Sequence, residues 1–159
     1  MGDILWLASY PKSGNTWMRI LLTNYLGDSE HPADINALEG GGISSSRDLF
    51  DNSVGVRSAS LPPETVERLR PEVYRVVGRS VETTMRMKAH DAYHRVPGGE
   101  PLFPADVSRG AVYLVRDPRD VAVSQAHHAG SSVEAAVSRL NDPDAALASR
   151  RMVTQLPQR

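Results

Sequence analysis

Residues 4–17 read ILWLASYPKSGNTW, and the way that stretch divides decides the fold. Residues 4–8 are a continuous apolar run closed by turn residues, the pattern of a strand buried on both faces in a parallel sheet. From Thr16 to Leu26, good helix formers lead to Gly27, a natural residue to end a helix. Between strand and helix lies a turn of unusual composition. A turn that enters a helix amino terminus presents unpaired backbone N–H groups and about half a positive charge, which suits a phosphate-like anion. Gly14 lets the backbone come close, Lys12 adds a point charge, and Ser13, Asn15 and Thr16 add donors. The plain alternative is a tight turn with solvated polar residues. Lys12 comes before Gly14, the reverse of the Walker order, which disfavours a nucleoside triphosphatase.

A second strand-loop-helix unit repeats the pattern. Residues 111–115, AVYLV, are apolar and partly β-branched, as expected of a strand. Asp117 and Pro118 read as an N-cap and first helical position, Asp120 completes an approximate capping box, and Gly130 ends the helix. Arg116 leaves the strand and Ser124 lies two helical turns on, so the two meet at one anion only if the loop folds back. Residues 84–89, TMRMKA, alternate and predict a strand that delivers His90 at its carboxyl end. The region 28–60 is rich in Gly, Ser, Asp and Asn and reads as a variable loop, with a short helical piece at 33–38. Residues 61–71 predict a short helix ended by Pro71; 131–140 and 143–153 predict two more. Alternating strands and helices predict an α/β fold with ligands at the carboxyl ends of parallel strands.

Composition limits the function. The 159 residues suit one domain, and 40% hydrophobic with 23% charged residues predicts a folded chain. Eighteen basic and 19 acidic residues give a net charge of -1, so neither nucleic acid nor an anionic membrane is an expected partner and any anion site is local. Without cysteine there is no disulfide, thiolate nucleophile or sulfur-ligated zinc, which is compatible with a reducing, cytoplasmic setting. The five-residue apolar stretch at the start has an aspartate before it and no basic flank, so neither a signal peptide nor a membrane span is expected.

YPKSGNTW at 10–17, MKAH at 87–90 and YLVRDPRDVAVS at 113–124 resemble, in order, three motifs of the sulfotransferases that use 3′-phosphoadenosine 5′-phosphosulfate. The resemblance implies a P-loop-like three-layer α/β/α domain over 1–159 with a parallel sheet, lacking the family's carboxyl-terminal part. It implies that Lys12, Ser13, Gly14, Asn15, Thr16 and Trp17 cradle the 5′-phosphosulfate and that Arg116 and Ser124 hold the 3′-phosphate. His90 would take the proton from a hydroxyl or amine of a small-molecule acceptor, Lys88 and Lys12 would assist the transfer, and 3′-phosphoadenosine 5′-phosphate would be the product. The family's later glycine- and basic-rich segment has no counterpart here, so a truncated, non-catalytic nucleotide-binding or interaction module is the alternative.

Sulfuryl transfer needs in-line placement and stabilisation of developing charge, without a protein nucleophile. Histidine, with an ordinary pKa of about 6.5, can act as base near neutral pH. No metal is implied. His94, His127 and His128 are expected in surface or packing roles, since His127 and His128 are adjacent and cannot face one site from a helix. Trp17 is expected to stack on adenine, fill the core, or do both.

Overall fold

The computed structural model describes residues 3–27, 31–38, 40–145, 147 and 153–158. Strands β1 (Ile4–Ser9), β2 (Met85–Ala89) and β3 (Ser108–Leu114) form one parallel sheet in the order β2-β1-β3. Five α-helices accompany them among the described residues: α1 (Asn15–Leu26), α2 (Arg47–Val54), α3 (Pro63–Ser80), α4 (Pro118–Ala129) and α5 (Val133–Leu140). This mixed α/β arrangement with an open parallel sheet is consistent with a P-loop-like fold.

Register brings the functional loops to one edge. Ala8 lies opposite Ala89 and Ser9 opposite Leu114, so the residues that follow each strand leave the sheet together. The pairing of β1 with β3 shifts by one residue between Ile4 and Leu5, which absorbs the extra residue in β3.

One face of the sheet is sealed by α3. Ile4 and Trp6, alternate residues on β1, pack with Val66, Val73, Tyr74 and Val77 of that helix. Each such buried side chain contributes about 1.5–3 kcal/mol. The Trp6 ring meets Tyr74 edge-on at 5.1 Å and Phe103 at 4.5 Å, and its Nε1 donates to Ser108 Oγ at 2.8 Å. Gly78 is fixed by close packing, because a Cβ there would stand 2.9 Å from Val107 Cβ. Leu7 points the other way and is equally buried, and Val121, Ala122 and Ala126 bury the inner side of α4.

The structure corrects three expectations. The described residues of 33–38 form a turn rather than a helix, and the helix inside the 28–60 region is α2, capped by Ser46, whose side chain accepts from Leu49 N. The helix at 61–71 does not stop at Pro71 but runs on to Ser80, since the stripe of Val73, Tyr74 and Val77 gains enough burial to outweigh the cost of an internal proline. β3 begins at Ser108, earlier than composition indicates, because Gly110 joins the ladder opposite Leu5. Most of the helix expected at 143–153 falls outside the described residues.

Among the described residues no strand pairs with the outer edge of β3, where Tyr113 is 70% and Val115 77% exposed. No helix among them is long and apolar enough to cross a membrane.

Candidate functional site

At the carboxyl edge of the sheet a cavity of about 900 Å³ opens between the β1–α1 turn, the end of β2, the last turns of α4 and helix α5. The turn is shaped by two residues in the left-handed region, Lys12 at φ 70° and Gly14 at φ 100°. Lys12 carries a Cβ in that region, a conformation that costs energy and marks the turn as held by its surroundings. Ser13 N donates to Tyr10 O at 3.2 Å, closing the turn.

The amino terminus of α1 is chemically open; α3 also lacks a side-chain cap but carries Glu64 in its first turn. Helices α2, α4 and α5 are each capped by the side chain of Ser46, Asp117 or Ser132. Helix α1 starts after Gly14 with no side-chain cap and no acidic residue in its first turn. Its leading N–H groups, having no intrahelical acceptors, point their donors and the positive end of the helix dipole at the cavity. A Cβ on Gly14 would meet nothing within 4 Å, so the cradle is open space. This arrangement fits a phosphate or sulfate group.

Asn15 is turned differently from the sequence expectation. Its Nδ2 donates to Leu7 O at 2.6 Å and Ser9 Oγ at 3.2 Å, pinning the helix start to the end of β1. Its Oδ1 is buried with no hydrogen-bond partner among the described residues. What Asn15 offers an anion is therefore its backbone N–H. Thr16 and Trp17 line the cavity, and Trp17 is 67% exposed, which rules out core filling. Ser13 sits apart, in an adjoining hollow of about 320 Å³ with Tyr113 and Pro118.

His90 and Lys88 reach the same cavity from β2. The Nδ1 of His90 is 2.7 Å from Ser9 O, and since a carbonyl only accepts, Nδ1 carries the proton and Nε2 keeps its lone pair. Burial pushes the imidazole pKa below its ordinary value, with Lys88 acting in the same direction. Burial likewise lowers that of Lys88, helped by the positive charges of Arg19 and Lys12.

Arg116 and Ser124 both line the cavity. Arg116 Nη1 donates to Lys12 O at 3.1 Å, tying the second unit to the first, and its Nε is 3.9 Å from Asp120. Arg119 turns away to pair with Asp117 at 2.6 Å.

Several residues escaped the sequence reading. Beneath His90, the next residue Asp91 takes two hydrogen bonds from Arg70, at 2.8 and 2.9 Å, with both side chains essentially inaccessible. Arg70 Nη2 also donates to Tyr74 OH at 3.0 Å, which donates to Ser44 O at 3.2 Å. These groups clamp the turn after β2 to α3 and to the 41–46 segment. An arginine amid the apolar stripe of α3 was the available signal. Of the remaining histidines, His94 bonds Glu67 Oε1 at 2.6 Å, a structural role, and His128 is exposed, in keeping with the surface role expected of it, while also lining the cavity. Gln155 and Gln158 also line it, and no motif marks them. No group of three or more potential metal ligands occurs among the described residues.

A model of the sulfotransferase domain matches residues 3–153. Luciferin sulfotransferase of Photinus pyralis is 30% identical over 132 residues, covering 79% of this chain and 32% of that protein. The chain thus spans about a third of the length of this curated relative. With the open helix terminus, the histidine and the arginine converging on one cavity, and with nearly the whole chain matched, the protein belongs to the sulfotransferase family.

Proposed function

We propose that the chain transfers a sulfuryl group from 3′-phosphoadenosine 5′-phosphosulfate to a hydroxyl or amine of a small-molecule acceptor, with His90 as general base. The observation that carries this reading is the His90 tautomer. Its Nδ1–H is committed to Ser9 O at 2.7 Å, which leaves Nε2 as the free ring nitrogen of a residue that lines the cavity shared with the open amino terminus of α1.

The donor supplies an activated sulfuryl group on a phosphate leaving group. Everything else falls to the chain. The N–H groups of Gly14, Asn15, Thr16 and Trp17 and the ammonium of Lys12 hold the 5′ end and meet the charge that grows on the departing phosphate oxygen. Ser13, displaced to the adjoining hollow and with its N–H committed to Tyr10 O, acts by closing the turn that shapes the cradle. Arg116 and Ser124 take the 3′-phosphate, and Trp17, exposed beside the cradle, offers a face to adenine. The acceptor's O–H or N–H proton passes to His90 Nε2 as the new bond to sulfur forms; the sulfur–oxygen bond to phosphate breaks, and its electron pair leaves with 3′-phosphoadenosine 5′-phosphate. Lys88 steadies the sulfuryl oxygens. No metal enters this scheme, and a cytoplasmic setting suits a chain without cysteine. We read 1–159 as one sulfotransferase-like domain, with 28–60 as its variable region.

A second reading, a nucleotide-binding module without turnover, draws on the exposed outer edge of β3. One experiment separates the two. Incubation with the phosphosulfate donor and a panel of phenols, sugars and amines should yield desulfated nucleotide and a sulfated acceptor. Tight nucleotide binding with no product from any acceptor would leave only the module.

A further inference from the structure

The β2 end of the cavity is walled by two segments far apart in sequence. Lys88 N donates to Gly42 O at 2.9 Å and Ser44 N donates to Lys88 O at 2.8 Å, which sets Ile43 alongside Lys88. The segment 153–158 is fastened to the residues that follow. Arg47 N donates to Thr154 O at 3.0 Å and Leu156 N donates to Ser45 O at 2.7 Å, and the Leu156 side chain is buried. Gln155 and Gln158 are thereby placed on the wall that also bears His90 and Lys88.

The two amides are wired to each other. Gln158 Nε2 donates to Ser45 Oγ at 2.7 Å and to Gln155 Oε1 at 2.6 Å. Those bonds use both amide hydrogens of Gln158 and engage the oxygen of Gln155. Gln158 Oε1 and Gln155 Nε2 have no partner among the described residues, which leaves one neutral acceptor and one neutral donor for a ligand. The charged side chains on the described wall are Lys12, Lys88, Arg116 and Arg139, all basic, with no aspartate or glutamate among the described lining residues. With the nucleotide's phosphates taken up by Lys12 and Arg116, an ammonium entering beside Lys88 would meet like charge and no lining carboxylate, while a hydroxyl or carbonyl would find both hydrogen-bonding partners.

We propose that Gln155 and Gln158 read the acceptor. It is a neutral or anionic compound in which the hydroxyl to be sulfated is accompanied by a second hydrogen-bonding group, and not a cationic amine. This rests on the sulfuryl-transfer reading and narrows its acceptor.

The test is calorimetric binding to the chain loaded with adenosine 3′,5′-bisphosphate, using tyramine and 4-(2-hydroxyethyl)phenol, which differ by an ammonium in place of a hydroxyl. The hydroxyl compound should bind about tenfold more tightly, the worth of one satisfied hydrogen bond. The variant Gln155→Glu keeps the oxygen that accepts from Gln158 and replaces the Nε2 donor by a negative oxygen. It should reverse the preference towards tyramine, a gain that misfolding cannot produce. Equal or tighter binding of tyramine by the unmodified chain would overturn the proposal, as would an unchanged ratio in Gln155→Glu or no binding of either compound. Failure to take up the bisphosphate would instead overturn the sulfuryl-transfer reading beneath it.

Discussion

The Nδ1 of His90 lies 2.7 Å from the carbonyl oxygen of Ser9, so the ends of β2 and β1 are joined through the candidate base itself. Ser9 also receives Asn15 Nδ2 on its hydroxyl at 3.2 Å. One residue thus couples the imidazole to the start of α1, where the proposed anion cradle begins. Geometry set this way does not depend on a flexible side chain.

Replacing His90 separates chemistry from binding. His90→Gln should lower transfer by about 10²–10⁴-fold, the usual contribution of a general base. Its affinity for adenosine 3′,5′-bisphosphate should match that of the unmodified chain, measured by calorimetry. A matching loss in both quantities would mean that His90 holds the nucleotide.

The pH dependence follows from the burial of the same ring. Because its pKa is lowered, the neutral, base-competent form persists below the ordinary value of about 6.5, and the acid limb of kcat/KM should fall there. Stability carries the same sign. Between the lowered folded value and about 6.5 the unfolded chain binds more protons, so stability rises with pH across that window and is lost as pH falls through it. Urea titrations at several pH values should show this slope, and His90→Gln should flatten it.

Lys12→Ala removes a charge from the cradle. A charge-assisted hydrogen bond contributes about 1.5–3 kcal/mol, so bisphosphate affinity should fall by about 10- to 150-fold. The loss should shrink in high salt, because an open cavity is screened. An affinity indifferent to both substitution and salt would place the anion elsewhere.

The buried pair beneath the site gives a stability prediction. Arg70→Met leaves the Asp91 carboxylate without its partner in a site where neither side chain is accessible, which should cost about 3–5 kcal/mol. Adding Asp91→Leu removes the stranded charge and should restore most of that loss. Denaturant midpoints of the single and double variants check both statements.

Much of this was legible locally. The apolar run 4–8, the lysine-glycine turn and the Asp117–Pro118 cap each carry their structural instruction within a few residues, and β1, α1 and α4 stand where those instructions put them. The length of α3 was not legible, because Pro71 forbids the helix locally and only packing against Ile4 and Trp6 overrides it. Nor was the inward turn of Asn15, which depends on the exact end of β1. Arg70 and Asp91 are 21 residues apart and meet only because β2 runs beside β1. Gln158 reaches Ser45 across 113 residues, a contact with no sequence period behind it.

The central claim is that the uncapped start of α1, with Lys12, is an anion cradle for the nucleotide. Titration of the ¹⁵N-labelled chain with adenosine 3′,5′-bisphosphate tests it most directly. The account predicts saturable binding with the largest amide shifts at Gly14, Asn15, Thr16 and Trp17. Binding that leaves those four amides unmoved while shifting others, or no binding at all, would contradict it.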